Sequence, residues 1–219
     1  MDLREALRGT AAIREFTDDP VPDEVVAAIL DDARFAPSGG NRQPWSVALV
    51  KDPQLRRRLA DAMQPVWNDY VDATASGRTP FTAVEPADYT PSADRSPHAP
   101  NALLSNIERM PAVLAIAADL RRIAIMDKDL DRPAMSGGAS VYPFCWSILL
   151  AARERGLGGV ITTFAARVEP ETGPLLGLPV DHAIAAVIYL GTPVKRPTRL
   201  RRDPVKLTLD RFDGPPIGD

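Results

Sequence analysis

The sequence has 219 residues, 45% of them hydrophobic, which is enough to build one substantial core, so we expect a single domain over residues 1–219. A net charge of −3 excludes the global basic field that collects nucleic acid or anionic lipid. One cysteine and two histidines offer neither an internal disulfide nor a zinc or iron–sulfur cluster, and we expect no metal site. The apolar runs are too short to cross a bilayer, so we expect a cytoplasmic protein without membrane or nucleic-acid partners.

The first predicted helix runs from Pro22 to Phe35. Proline is favoured at the start of a helix, and the acids Asp23 and Glu24 behind it complement the helix dipole. Pro37 helps to end the helix. Apolar residues recur at spacings of three and four, as in an amphipathic helix: Val25, Val26, Ile29, Leu30 and Ala33.

A loop then leads from this helix into a strand. The loop reads FAPSGGNRQPW from Phe35 to Trp45, and its glycines, prolines and short polar residues are turn formers. The run WSVALV over 45–50 predicts a buried strand because it is short, apolar and rich in β-formers. Asp52 and Pro53 then mark the start of another helix.

Residues 64–100 have a different character. They contain six prolines and scattered acids, with little periodicity beyond VWNDYV. A stretch of this length without strong elements is typical of an active-site lid, a partner contact or disorder. We expect a lid or a variable insertion here, followed by a buried strand, PAVLAIAA, over 111–118.

From Val141 the apolar residues again fall at helical spacing, and this helix is predicted to end at a glycine cap, Gly156. Trp146 and Leu150 make the other faces apolar as well. A helix that is apolar nearly all round must be buried, either in a core or against another subunit. The same burial makes Cys145, on this helix, a core thiol rather than a nucleophile.

The last part of the chain predicts a strand at GGVITTF, a short helix at EPETGPLLG and a strand at AIAAVIYLG over 183–191. Helices and strands are intermixed without regular βαβ units, which indicates an α+β fold. Residues 192–219 form a C-terminal extension that contains the basic run KRPTRLRR. His182 lies between predicted elements without a nucleophile motif near it, which favours a surface or capping histidine.

The loop sequence SGGN resembles a phosphate loop, but it leads into a strand and lacks the Lys-Ser/Thr pair of a P-loop. Two interpretations of Ser38, Asn41 and Gln43 stay open. One is turn chemistry. The other is a binding edge, since one hydroxyl and two amides present mixed donors and acceptors to a neutral heterocycle.

The basic run also has two interpretations. A solvated tail is the usual role of such a run. The Arg-x-Arg-Arg spacing in an acidic protein also suits bidentate capture of one phosphate. No paired carboxylates, metal motif or nucleophile elbow stands out, so if the protein is an enzyme, a bound organic cofactor carries its chemistry.

Five segments in order resemble the nitroreductase family of FMN-dependent NAD(P)H oxidoreductases. They extend from about Asp2 to Phe212 and are AAIREFTDDPVPDEVVAAILDDARFAPSGGNRQPW, YPFCWSILLAARERGLGGVITT, LLGLP, AAVIYLGTP and LRRDPVKLTLDRF. The resemblance implies an α+β fold with a central mixed or antiparallel sheet flanked by helices. It also implies an intertwined homodimer that buries a long helix and holds two FMN sites at its interface.

The resemblance also assigns cofactor-binding residues. Ser38, Asn41 and Gln43 match a flavin-contacting loop that comes from the partner chain. Arg14 matches a basic residue near the pyrimidine edge of the flavin. The other matches are Thr162 and Thr163, which with a Gly158–Gly159 turn face flavin N5, and Arg201 and Arg202, which hold the phosphate.

One departure from the family pattern concerns the phosphate. Many members carry an arginine ligand just before the position of Arg14, whereas this sequence reads Gly-Thr-Ala-Ala over 9–12. Arg8 is a candidate substitute if its helix extends to Ala11 and Ala12. The loss of an arginine at Thr10 or Ala11 is expected to weaken FMN binding.

The implied reaction takes electrons from NADH or NADPH through flavin N5 to a small organic acceptor such as a nitroaromatic or a quinone, with no catalytic side chain. A second hypothesis is a flavin-dependent reductase or dehalogenase for one specific small molecule. A third is a low-turnover protein that binds or stores flavin.

Overall fold

The computed structural model, which describes residues 1–83, 92–197 and 200–217, is built around a four-stranded sheet. The strand order is β1-β2-β4-β3, and each neighbouring pair is antiparallel. The expectation of a mixed or antiparallel sheet therefore resolves to an antiparallel one for these four strands. They are β1 (Trp45–Leu49), β2 (Ala112–Asp119), β3 (Gly158–Thr162) and β4 (His182–Gly191).

Helices cover both faces of the sheet, which confirms the α+β class. The described residues contain no helix that is long and apolar enough to cross a membrane. The helices are α1 (Leu3–Gly9), α2 (Asp23–Ala33), α3 (Pro53–Ala75), α4 (Ala102–Ser105), α5 (Tyr142–Glu154), α6 (Phe164–Arg167) and α7 (Glu169–Leu176).

The helix ends follow the signals in the sequence. Asp52 caps α3, because its carboxylate accepts the backbone N–H of Gln54 at 2.9 Å, and Pro53 occupies the first turn. The chain leaves α5 through Gly156, whose φ of 78° is the left-handed conformation that glycine adopts without strain. The two predicted boundaries are confirmed.

Two apolar clusters hold the layers together, one on each face of the sheet. On the first face α2 and α5 pack against the sheet, with Ile29 and Ile148 fully buried. Trp45 stacks on Phe144 there, with ring centroids 4.6 Å apart. On the second face α3, α4, α6 and α7 surround residues such as Leu59. The sheet is therefore the middle of three layers.

The first part of the expected lid is in fact helical. Residues 64–75 are the second half of α3, so the prediction that 64–100 lacks strong elements is wrong here. The apolar period was obscured because Gln64 and Asn68 are buried polar residues whose side chains bond to each other at 2.8 Å, and because Pro65 lies inside the helix. Residues 84–91 of the expected lid lie outside the described part.

Helix α5 is covered more fully by its own chain than its composition suggested. Phe144, Ile148 and Leu149 are no more than 5% exposed, because α2 and the sheet pack over them. Of the two covers expected for this helix, the core of its own chain accounts for these three residues. Tyr142, Trp146 and Leu150 form the stripe of α5 that stays exposed or half-buried.

Candidate functional site

A cavity with a volume of about 470 Å³ opens beside the end of β3. Arg14, Thr162 and Thr163, which the sequence comparison with the nitroreductase family assigned to one site, all line it. The remaining lining residues are Glu15, Trp67, Tyr70, Pro100, Asn101, Ala102, Leu103, Val160, Ile161 and Phe164.

The N-terminal segment places Arg14 at this cavity by joining the sheet edge. The backbone N–H of Ile13 donates to the carbonyl of Gly159 at 2.9 Å, and Ala12 forms an isolated parallel bridge with the same residue. Within the described residues the Arg14 guanidinium makes no hydrogen bond or ion pair, so its charge is available to a ligand.

The two glycines of GLGG serve packing rather than a turn. Gly158 and Gly159 are the first residues of β3, so the expected Gly158–Gly159 turn is wrong, and the turn lies at Gly156 instead. A Cβ on Gly159 would lie 2.5 Å from Leu190 Cδ2 and 2.7 Å from the Tyr189 carbonyl oxygen. Only glycine fits there without a shift of its neighbours.

The two threonines differ in what they offer a ligand. The Thr162 hydroxyl donates to the backbone carbonyl of Val187 at 3.1 Å, so its proton is already used inside the sheet. Thr163 lies at the start of α6, is exposed, and makes no capping bond with its side chain. The Thr163 hydroxyl is therefore the one available to a molecule in the cavity.

Three aromatic side chains form a wall of the cavity. Trp67 and Tyr70 stack with ring centroids 5.7 Å apart, and Phe164 lies 6.1 Å from Trp67 and 6.3 Å from Tyr70. Sequence reasoning did not assign these residues to the site. Trp67 and Tyr70 lie three residues apart in VWNDYV, a spacing that places two side chains on the same face of a helix. That spacing is informative only if α3 extends through these residues, which the sequence did not show.

The segment over residues 96–101 is hydrogen-bonded to the same wall. The Trp67 indole nitrogen donates to the carbonyl of Ala99 at 2.9 Å, and the Asn68 amide donates to the carbonyl of Ser96 at 2.9 Å. The backbone N–H of His98 returns a bond to Asn68 Oδ1 at 3.1 Å. These bonds help to position Pro100 and Asn101, which line the cavity.

The loop with Ser38, Asn41 and Gln43 is not among the residues that line this cavity. It directly precedes β1, at one edge of the sheet, whereas Arg14 joins β3 at the other edge. Three strand spacings separate the two edges, about 14 Å. A single chain therefore does not bring the loop to Arg14.

The loop is nevertheless held in one shape. Gly40, Asn41 and Gln43 have φ values of 60°, 53° and 47°. The Gln43 side-chain amide donates to Asn41 Oδ1 at 2.9 Å, and its backbone N–H donates to Ser38 Oγ at 3.0 Å. Left-handed backbone outside glycine is costly, so these bonds maintain a shape that turn chemistry alone does not require.

The basic tail does not reach the cavity in this chain either. Arg201 and Arg202 are exposed, and among the described residues the Arg202 guanidinium donates only to the neighbouring carbonyl of Arg201, at 2.7 Å. Thr198 and Arg199 of the run lie outside the described residues. The phosphate-binding role of this segment stays a prediction.

Arg8 does not lie on one helix face with Ala11 and Ala12, as it would have to if it were to replace the missing arginine ligand of the phosphate. Helix α1 includes Arg8 but ends at Gly9, and Thr10 is extended, with its hydroxyl bonded to the carbonyl of Ala6 at 2.7 Å. Ala11 and Ala12 therefore do not follow Arg8 on one helix face, and the condition for Arg8 as a substitute is not met.

Two other polar candidates have structural roles. Cys145 is fully buried, and burial raises the pKa of its thiol to about 12, which confirms a core thiol. His182 is the first residue of β4, and its Nδ1 lies 3.0 Å from the carbonyl oxygen of Val180.

The chain is similar to known proteins over most of its length. A model of the Nitroreductase family matches residues 7–192. An NADH dehydrogenase of Thermus thermophilus is 29% identical over 196 residues, which cover 89% of this chain and 88% of that protein.

Two solved structures share the fold at low identity. Iodotyrosine deiodinase bound to FMN and 3-iodo-L-tyrosine has a TM-score of 0.67 at 20% identity, over 96% of this chain and 100% of that one. The NADPH:FMN oxidoreductase from Vibrio harveyi complexed with NAD⁺ has a TM-score of 0.63 at 22% identity, over 91% and 72% of the two chains.

Proposed function

This chain belongs to the nitroreductase family, and from that membership we propose that it is an FMN-dependent enzyme that passes electrons from NAD(P)H to nitroaromatic or quinone acceptors. The general class, a flavin-dependent oxidoreductase that uses NAD(P)H, is supported by the family and by the names of the related proteins.

The observation that carries the proposal is the composition of the larger cavity. It combines a guanidinium that has no partner among the described residues, an exposed hydroxyl at Thr163 and a wall of three aromatic rings. A flat ring system that gains negative charge fits such a lining, because the rings pack on its faces and the cation stabilises the charge. The residues present therefore fit a flavin.

Arg14 and Thr163 are the residues of this chain that would hold the ring. FMN held there would supply the two-electron chemistry between NAD(P)H and an acceptor. Arg14 stabilises the negative charge of the reduced ring, while Trp67 and Tyr70 exclude water and orient a flat acceptor. No acid–base side chain is needed for this role.

We include a homodimer in the proposal, because one chain places the flavin-contacting loop and Arg14 at opposite edges of the sheet. In a dimer Ser38, Asn41 and Gln43 of one chain reach the cavity of the other. The exposed apolar residues support such an interface. On α5 Tyr142 is 45% exposed, and in the tail Val205 is 88% and Phe212 100% exposed.

The same proposal assigns roles to the segments outside the sheet layers. Residues 192–219 are a C-terminal extension whose Arg201 and Arg202 contact the FMN phosphate across the interface. Residues 76–100 are the part of the expected lid that follows α3, within one nitroreductase-like domain. The cytoplasmic location expected from the sequence stays a prediction.

A second candidate function is reductive dehalogenation of one aromatic substrate. The shared fold with iodotyrosine deiodinase over the whole of that chain favours it, and the stacked rings of Trp67 and Tyr70 suit an aromatic ligand. Product analysis over a panel of halophenols and enones separates this function from general electron transfer.

The test of the proposed function is cofactor titration followed by turnover. The purified protein is expected to be yellow, or to bind added FMN more tightly than riboflavin, and to oxidise NAD(P)H when menadione or nitrofurazone is present. A colourless protein that ignores FMN contradicts the flavin proposal. A yellow protein without turnover on any acceptor points instead to flavin storage.

A further inference from the structure

A second cavity lies next to the first and shares part of its wall. Its volume is about 180 Å³, and Arg14, Glu15 and Ala102 line both cavities. The two cavities are therefore neighbours, with Arg14 in the wall of both. The other lining residues are Phe16, Thr17, Asp18, Asn106, Arg109, Met110 and Pro111.

Three side chains of the smaller cavity carry N–H donors that the described residues do not use, whereas the Thr17 hydroxyl donates to Asp19 Oδ2 at 2.7 Å. Within the described part of the chain, the side chains of Arg109 and Asn106 make no hydrogen bond or ion pair, and Arg14 makes none either. By contrast, Glu108, the residue before Arg109, forms an ion pair with Arg57. A lining with two unpaired guanidiniums and a free amide can bind an anion.

The buried side chain of Arg56 holds the backbone on both sides of Arg109. Arg56 is 7% exposed, and its guanidinium donates to the carbonyls of Glu108 at 3.1 Å and Met110 at 2.7 Å, on either side of Arg109. It also donates to Val50 at 2.7 Å, which ties the turn to the end of β1. The backbone that carries Arg109 is thus held rigidly at the cavity.

The acids of the same cavity narrow the class of ligand. Glu15 and Asp18 lie among the cations, which disfavours a compact multivalent anion but suits a nucleotide. In nucleotide sites guanidiniums bind phosphate, whereas carboxylates accept hydrogen bonds from ribose hydroxyls. The cavity presents both groups side by side.

We propose that the smaller cavity binds the phosphate–ribose arm of the reduced nicotinamide nucleotide, with Arg109 as the phosphate ligand. This inference rests on the proposed function and adds to it the site that selects the electron donor. The flavin also carries a phosphate ester, so the test must separate the two sources of this chemistry.

The first experiment measures binding without turnover. Calorimetric titration of the FMN-loaded protein with NAD⁺ is expected to show about ten- to hundredfold weaker binding for Arg109→Gln. Arg109→Lys, which keeps the positive charge but not the two parallel N–H donors of the guanidinium, is expected to lose less NAD⁺ affinity than Arg109→Gln. Nicotinamide, which has no phosphate, is expected to bind wild type and variant alike. Arg122→Gln is the matched control, since Arg122 is exposed beyond the opposite end of β2.

The second experiment compares two electron donors with one acceptor. For Arg109→Gln, the kcat/KM is expected to fall about ten- to hundredfold with NADH and to stay unchanged with 1-benzyl-1,4-dihydronicotinamide, which has neither phosphate nor ribose. Equal losses with both donors, or no loss with either, overturn the inference.

The remaining outcomes separate this inference from the proposed function. If Arg109→Gln weakens FMN but not riboflavin, the cavity holds the flavin phosphate and the inference is overturned. If the wild-type protein oxidises neither donor, the proposed function fails, and the NAD⁺ titration still decides the role of Arg109. If both donors are oxidised and the variant behaves like wild type, only the inference fails.

Discussion

The indole nitrogen of Trp67 donates a hydrogen bond of 2.9 Å to the carbonyl oxygen of Ala99, so a side chain of the larger cavity's wall also holds the segment that leads into Pro100 and Asn101 of the same lining. Trp67→Phe keeps an aromatic ring but removes this donor. We expect the free energy of unfolding to fall by about 1 kcal/mol, the usual net value of such a bond.

The measurement for Trp67→Phe is urea unfolding together with amide hydrogen exchange. The backbone N–H of His98, which bonds to Asn68, is expected to exchange faster in the variant because its segment detaches first. Tyr70→Phe is the control, since it removes a neighbouring hydroxyl for which the described residues offer no partner. Unchanged exchange at His98 contradicts the fastening role.

Leu150 tests the proposed dimer without damage to the core. It is half-buried on the stripe of α5 that its own chain leaves uncovered, whereas Leu149 is 5% exposed. Leu150→Glu is expected to raise the dimer dissociation constant about ten- to hundredfold, because a large apolar side chain contributes about 1.5–3 kcal/mol when buried. Leu149→Glu is expected to unfold the chain instead.

Light scattering with flavin absorbance on the same sample reads out this prediction. Ala27→Glu introduces the same charge at an exposed position of α2 and is expected to leave the dimer intact. A wild-type monomer that carries FMN at micromolar concentration would falsify the two-chain site.

Arg202 tests the phosphate role of the tail. Its guanidinium is exposed and, within the part of the chain that the structure describes, bonds only to a neighbouring carbonyl, so Arg202→Ala is expected to leave the stability of the fold unchanged. FMN binding is expected to weaken about ten- to hundredfold and riboflavin binding to stay the same. Lys206→Ala, in the same exposed tail, is the control.

The converse test introduces an arginine at position 11, near which many members of the family carry one. Ala11→Arg is expected to tighten FMN and not riboflavin, because the extended segment after Thr10 carries no cation at that place. Equal effects on both ligands would mean that the substitutions act through folding and not through the phosphate.

The buried thiol of Cys145 is expected to make the free energy of unfolding depend on pH in the alkaline range. Burial raises the pKa of its thiol to about 12, whereas an unfolded chain ionises it near 8.5. Above that pH the unfolded state binds fewer protons than the native state, so stability falls as pH rises, by about 1.4 kcal/mol per unit between roughly pH 9 and pH 11.

Urea unfolding of wild type and Cys145→Ala at pH 8 and pH 10 isolates this contribution. Burial also raises the pKa of Tyr189, which leaves a residual slope in the variant, so the difference between the two proteins is the quantity to measure. Rapid modification of the native thiol by a disulfide reagent at pH 8 would contradict its burial.

The sequence correctly predicted helix ends that are marked by capping residues. Asp52 with Pro53 and the glycine at 156 marked helix ends because capping is a local interaction. The second half of α3 was missed because Gln64 and Asn68 satisfy each other inside the core. That pairing is tertiary information, and a polar residue at an apolar position hides the helical period.

The candidate site was only partly predictable for the same reason. Arg14 and Thr163 were assigned through the resemblance to a family. The aromatic wall needed α3 and α6 to meet, since Trp67 and Phe164 are far apart in the chain. Arg109 gave no sequence signal at all, because its position depends on the buried guanidinium of Arg56.

The placement of the loop and Arg14 at opposite edges of one sheet has a genetic consequence. If each site takes its loop from one chain and its arginine from the other, two inactive variants can rescue each other when they are coexpressed. Arg14→Ala and Asn41→Ala homodimers each lack an intact site, whereas their heterodimer contains one intact site and one with both defects. Random pairing of equal amounts then leaves about one site in four functional, and a cell dependent on this enzyme would recover activity that neither allele provides alone.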